Sequence, residues 1–305
     1  MKTLITLLGS ALLLMTSSAL AQDKVDKELE VTPTSRLSID NMRGKLELIT
    51  SETDSVRVVG TLDEEAEEFI FEKRGNTLYV EVKTPQNKGF SFSSSDSDGS
   101  DLKVYAPESM DIDVKGVSMD VLAAGFTNDF DVRLVSGNIS VSDISGLIHL
   151  KTVSGNINSK RASGNGSFET VSGDITDTEN TSTEGSYQAV SGDIIVESDS
   201  LSDITMQSVS GDINATLGIL SHAKMTTVSG DAQLSSRLAE SARVEAKSVS
   251  GDLDFEWWGD LHANFSIKSN AGGKITNRLT DDKVEKAEWG PSSTLELKLG
   301  DATAD

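Results

Sequence analysis

No cysteine occurs anywhere in the 305 residues. The fold therefore owes nothing to disulfides, and thiolate nucleophiles and thiolate metal sites are excluded. Proline is down to four residues, and long stretches of Ala, Leu, Glu and Lys are scarce. Only Thr61 to Phe71 and Asp281 to Ala287 read as short helices. Positive charge is also in short supply, with 27 Lys and Arg against 49 Asp and Glu for a net charge of −22. That balance repels nucleic acid and anionic lipid headgroups, keeps the chain soluble, and favours cations or cationic partners. There is no phosphate-binding glycine loop, no paired-histidine metal motif and no basic amphipathic helix. Apart from its first residues, the chain has no apolar run long enough to span a bilayer.

Those first residues read as an export signal. Lys2 precedes an apolar stretch from Leu4 to Met15, and Ala19-Leu20-Ala21 gives a small-residue cleavage pattern before Gln22. Lys2 is the only charge of that leader, so its removal takes the net charge from −22 to −23. The expected location is the periplasm, with the cell surface or medium as the alternative.

Val, Ile, Thr and Ser dominate the remainder, and they favour strands. Within it one pentapeptide returns seven times. Val135-Ser136-Gly137-Asn138-Ile139 is followed by equivalents whose glycines are Gly155, Gly173, Gly192, Gly211, Gly230 and Gly251. Successive copies lie 18 to 21 residues apart, the period of a stacked repeat. Apolar residues alternate on both sides of each Ser-Gly pair, which reads as strand, corner, strand. Glycine permits the positive φ of a tight corner, and Ser with Asp or Asn can bond nearby backbone there. No unit is long enough to bury its own apolar side, so each must stack on its neighbours. Strict alternation cannot turn both the motif Val and the residue three before it inward. The sequence leaves that phase open. A hexapeptide left-handed helix fails, because six-residue spacing from Val135 meets Ser159, Asn165, Asp177 and Thr183.

The expected fold is thus all-β: a β-solenoid, parallel β-helix-like, with coils of about 18–21 residues. The expected layout is a signal peptide over 1–21, a linker over 22–35, and degenerate first coils with loop insertions over 36–116. A regular solenoid over 117–275 and a C-terminal cap or incomplete coil over 276–305 complete it. Two insertions stand out, an acidic one at Asp63 to Glu68 and a Ser-rich one from Gln86 to Asp101.

The repeated Val-Ser-Gly-Asp-Ile, with the opening Leu37-x-Ile39-x-Asn41-x-x-Gly44-x-Leu46-x-Leu48, resembles a bacterial family. That family is labelled "putative adhesin" or domain of unknown function 4097 (DUF4097). The resemblance covers most of residues 36 to 300 and implies a β-solenoid in the cell envelope. It implies no catalytic residues.

Three groups of side chains invite a chemical reading. Asp174, Asp193, Asp212, Asp231 and Asp252 should form a ladder about 4.8 Å apart, preceded by Asn138 and Asn156. Such a ladder serves as corner geometry, a binding surface or a weak Ca²⁺ site; no other cofactor is expected. The motif serines lack a histidine in any fixed relation, since His149, His222 and His262 follow no repeat, so nucleophilic catalysis is not expected. Trp257 and Trp258 lie beside Asp254, Glu256 and Asp260. Together with Trp289 they read as a core cap, or by themselves as the one place resembling a sugar site in a carbohydrate-active β-helix. The leading expectation is a non-enzymatic envelope protein binding an extended partner, a protein or a polysaccharide.

Overall fold

The computed structural model describes residues 23–32, 35–85, 99–259, 263–270, 275 and 280–299. The leader, residues 86–98, Asp260 and His262 lie outside the described residues. No helix occurs among the described residues, and the strands join in one continuous sheet wound into a solenoid of about 8 turns. None of these residues forms a helix able to cross a membrane.

One turn shows how the repeat folds. The strand Phe130–Ser136 runs to the Gly137 corner, and Ile139–Ser142 continues past it. A second corner follows at Asp143, which takes φ 55. The next turn repeats this directly above. Ile148–Ser154 pairs in parallel with Phe130–Ser136 below and Gly166–Ser172 above, without register shift. Equivalent residues therefore stack one over another, about 4.8 Å apart.

The inward rows are set by alternation. Val132, Leu150, Phe168, Tyr187 and Met206 occupy one row and are completely buried. Two residues later, Leu134, Thr152, Thr170, Ala189 and Ser208 also point inward. Alternation then turns the valine that follows outward, which resolves the phase that the sequence leaves open. After the corner, Ile139, Ile157, Ile175, Ile194 and Ile213 return to the core.

Aromatic rings fit this narrow core because glycine makes room for them. Phe168 and Tyr187 stack with centroids 5.1 Å apart and planes 5° from parallel. Gly166 and Gly185 precede them by two residues, where a Cβ would stand 2.5 and 2.9 Å from the rings. The Tyr187 hydroxyl donates to Asp177 Oδ2 at 2.6 Å, and Asn180 Nδ2 donates to the same oxygen at 2.6 Å. Asp177 is itself fully buried.

Both ends depart from the plain repeat. The first coil is the strand Arg36–Ser51, bent at Gly44, with Thr77–Lys83 and Ser100–Pro107 beside its two halves. Beyond these the pairing becomes antiparallel. Glu68–Arg74 pairs with Thr77–Lys83, Ser55–Thr61 with Ser100–Pro107, and Lys24–Glu30 with Ser55–Thr61. Three expectations are corrected here. The segment 22–35 is not simply a linker, because it carries this outermost strand, anchored by buried Val25 and Val31. Thr61 to Phe71 is not a helix: buried Asp63 ties it to the first coil by accepting from the Arg43 guanidinium and from its own chain at Glu65 N. Burial raises the Asp63 carboxyl, but the hydrogen bonds from Arg43 and Glu65 N, with the Arg43 charge, together outweigh it and hold the group below its usual range. Asp281 to Ala287 is no helix either and contributes only the short strand Glu285–Lys286.

At the other end, Leu253–Trp257 and Ala263–Ser269 lie on the strand Ala232–Ser250. Ser293–Leu299 then returns antiparallel along Ala263–Ser269. Trp257 packs between Phe255 and Phe265, with ring centroids 5.7 and 5.4 Å away.

Candidate functional site

The corner places three ladders along one edge of the solenoid: motif valines, motif serines and motif carboxylates. The glycine between them carries the corner's geometry. Gly192 has φ 144, and a Cβ there would lie 2.0 Å from the Gly173 carbonyl oxygen one coil below. The same contact recurs at Gly155, Gly173, Gly211, Gly230 and Gly251, at 2.0 to 2.2 Å. No side chain can occupy this position, so glycine is required by close backbone approach as well as by φ. Two of the carbonyls so approached accept from a buried hydroxyl. Thr152 Oγ1 donates to Gly137 O at 3.2 Å, and Thr170 Oγ1 to Gly155 O at 3.1 Å. That contact accounts for the threonines of these two coils, whereas Ser208 Oγ and Thr227 Oγ1 in the same row have no partner.

The Asp and Asn side chains staple one coil to the next. Asn138 N donates to Asp120 Oδ1 at 2.8 Å, and Asn156 N to Asn138 Oδ1 at 3.0 Å. Asp174 N, Asp193 N, Asp212 N, Asp231 N and Asp252 N each donate to the preceding side-chain Oδ1 at 2.8–3.0 Å. One oxygen of each residue does this work. Asn supplies it as well as Asp, which explains why the first two motifs tolerate Asn. Asp212→Asn should therefore leave the melting temperature unchanged. Asp212→Ala should lower stability by about 1 kcal/mol by orphaning the Asp231 amide, as read by urea denaturation.

The second carboxylate oxygen is left facing solvent. Among the described residues, no Lys or Arg pairs with Asp174, Asp193, Asp212, Asp231 or Asp252. The second corner behaves differently. There Asp143, Arg161 and Glu179 stack with alternating sign, and Arg161 bonds Asp143 at 2.6 and 2.7 Å. Arg161 holds the Asp143 carboxyl below its ordinary value. Charge is thus neutralised at one corner and left uniform at the other. No group of three or more His, Asp or Glu among the described residues is arranged to hold a metal ion.

The valine ladder is the feature the sequence leaves unresolved. Val135, Val153, Val171, Val190, Val209, Val228 and Val249 are 38–51% exposed. Val117 and Met42 extend the row at 38% and 41%. Nine apolar side chains thus run along one edge for roughly 38 Å. Strand propensity alone does not produce this row, because other outward positions on these strands carry Lys151, Gln188 and Gln207. Exposed aliphatic residues elsewhere do not line up across coils: Leu122 lies beside Ser140, Ile195 between Thr176 and Asn214, and Ile219 beside Arg237, while Leu147 precedes Ile148, whose partners Phe130 and Gly166 follow Asp129 and Asn165. The signal was in the sequence, since inward −3 and −1 positions force the valine out.

The tryptophan end divides its side chains between two faces. Phe255 and Trp257 turn toward the core from the strand Leu253–Trp257, while Asp254 and Glu256 are exposed on its other face. Trp258 is 41% exposed and Trp289 90% exposed, so neither caps the core as expected. The two acids and Trp257 do not converge, and Trp257 closes the core.

None of the curated proteins matches this chain. Several solved structures are similar to it at low identity. A "putative adhesin" from Bacteroides fragilis NCTC 9343 is 13% identical, covers 78% of this chain and 98% of its own, and superposes with a TM-score of 0.43. A "putative lipid binding protein" from Parabacteroides distasonis ATCC 8503 is 17% identical over 76% of this chain and 96% of its own, with a TM-score of 0.48. A "putative adhesin" from Parabacteroides merdae ATCC 43184 is 11% identical over 76% and 95%, with a TM-score of 0.43. The family model described as Toastrack DUF4097 matches residues 34–284, so the chain belongs to the Toastrack DUF4097 family.

Proposed function

We propose that this chain is a non-enzymatic, exported binding protein of the cell envelope whose partner lies along the valine–aspartate edge. One observation carries the reading: every regular coil exposes the same apolar residue at the same place. The corner does not need that residue. Its geometry comes from glycine, its inter-coil bonds come from Asp or Asn, and the small residue before the valine fills the core. Contiguous exposed apolar rows on soluble proteins mark interaction surfaces. A stiff rod with one long row suits an extended partner better than a small molecule.

A photoreactive amino acid at Val190 or Val209, introduced in intact cells, should yield discrete adducts. The same residue at Ile195 or Ile219, exposed on other faces, should not. Adducts absent from the edge, or equal from all four positions, would remove the basis for this reading.

A further inference from the structure

We infer that the acidic half of the edge, the coils from Val171 to Val228, docks a basic amphipathic α-helix of a partner polypeptide; this rests on the edge being the binding surface. The edge is not uniform along its length. Val117, Val135 and Val153 are flanked by Lys115, Arg133 and Lys151, and their corners carry Asp120, Asn138 and Asn156. From Val171 onward the flanks change. Asp174, Asp193, Asp212 and Asp231 line one side, while Glu169, Gln188, Gln207 and Thr226 line the other. No cation lies in either row over these four coils, and only Glu169, at their start, is paired, with Lys151 of the coil below at 2.6 Å.

Each of these carboxylates spends Oδ1 on the next coil's amide. The other oxygen remains available to a Lys or Arg, for which a carboxylate is the natural partner. The net charge of −22 adds long-range attraction for a cationic segment and repulsion for nucleic acid and anionic lipid. The apolar row adds a second requirement, because a basic segment without an apolar face leaves the valines in water.

Spacing selects the conformation. Coils repeat about every 4.8 Å, a helix presents one turn per 5.4 Å, and a strand presents same-face side chains about every 6.8 Å. Over three coil steps the helix drifts by about 2 Å and the strand by about 6 Å. A helix with apolar residues at i, i+4, i+7 and i+11 and Lys or Arg on one flank therefore keeps step with Val171, Val190, Val209 and Val228.

The test uses the mature chain and two labelled Leu/Lys peptides of identical composition. One has helical amphipathic spacing and the other is scrambled; fluorescence anisotropy reads binding. The amphipathic peptide should bind about tenfold tighter than the scramble. Val190→Thr with Val209→Thr keeps the β-branch, and Asp193→Asn with Asp212→Asn keeps the inter-coil acceptor. Each pair should weaken binding by about tenfold. Glu197→Gln with Asp199→Asn removes the same charge on another face and should leave it within about twofold. Equal binding of both peptides, or equal loss in the edge and control pairs, overturns the inference in favour of unspecific charge attraction. If neither peptide binds yet adducts still form at Val190 in cells, the helix inference falls and the edge stands. If those adducts are absent too, both fall.

Discussion

Gly192→Ala is expected to lower stability by about 3 to 5 kcal/mol or to prevent folding. A methyl at this position meets the Gly173 carbonyl oxygen at 2.0 Å and its carbon at 2.5 Å. Neither can swing away, because both are backbone in a stack whose amides bond upward. Gly173 N donates to Ser191 O at 3.0 Å, and Gly192 N donates to Ser210 O at 3.0 Å. The φ of 144 adds strain of its own for any L side chain. Gly75→Ala is the control. Gly75 also has positive φ, at 63, but nothing lies within 4 Å of its would-be Cβ. That change should cost about 1 kcal/mol, the left-handed penalty alone. Urea denaturation of both variants separates close approach from backbone strain. Equal losses would show that the corner glycines are required by φ and not by stacking. Because each coil touches only its neighbours, local opening around the altered corner should accompany the Gly192 change, visible as lost amide protection in adjacent coils.

The second large effect concerns the core. Asp177→Ala is expected to cost about 3 to 4 kcal/mol, since it leaves the buried Tyr187 hydroxyl and Asn180 amide without their acceptor and opens a cavity. Asp177→Asn should do the opposite at neutral pH. Burial pushes the Asp177 carboxyl above its ordinary value, outweighing the hydrogen bonds from Tyr187 and Asn180 that pull it down. The sign follows directly. A carboxyl whose folded pKa is raised binds its proton more tightly in the folded state. Its favourable contribution is complete below the ordinary carboxylate pKa and is lost as pH rises through the raised folded value. Wild-type stability should therefore fall over that window, and Asp177→Asn should flatten this part of the profile. The amide also suits its surroundings. Oδ2 already accepts twice, whereas Asp177 Oδ1 and Ser159 Oγ, in the same inward row one coil away, have no partner. An Asn NH₂ group in place of Oδ1 has that hydroxyl within its row. A pH profile of the wild type that rises through this window would contradict the assignment.

Much of this was legible in the sequence, for reasons that differ between residues. The coil period followed from the glycine spacing because only glycine tolerates the carbonyl beneath it. The inward rows followed from two-residue alternation, and Trp257 was readable as a cap because a solenoid core must end. The acid ladder was legible as a row. Its use of one oxygen per residue was not, because that depends on the next coil's amide pointing along the axis. The outward valine was implied by alternation, but the expectation that apolar residues turn inward concealed it. The Tyr187–Asp177–Asn180 network was hidden because Asp177 stands where Val141 and Val196 stand in other coils. The antiparallel strands at the start escaped notice because they do not carry the motif. Thr61 to Phe71 looked helical through its glutamates, whose true role is set by Arg43 and by the hairpin with Thr77–Lys83. Those strands nonetheless seal the first coil, as Trp257 and Ser293–Leu299 seal the last.

The whole account turns on which way the motif valine faces. The absence of cysteine makes this directly measurable, since one introduced thiol is the only thiol. Val190→Cys, Val209→Cys, Ala189→Cys and Ser208→Cys are to be compared for maleimide labelling of the native protein, with urea-unfolded samples as reference. The account predicts rapid native labelling from Val190→Cys and Val209→Cys, at 38% and 46% exposure, and protection of Ala189→Cys and Ser208→Cys, at 1% and 3%. Protection at 190 and 209 with labelling at 189 and 208 would contradict it, and the edge would cease to be a site.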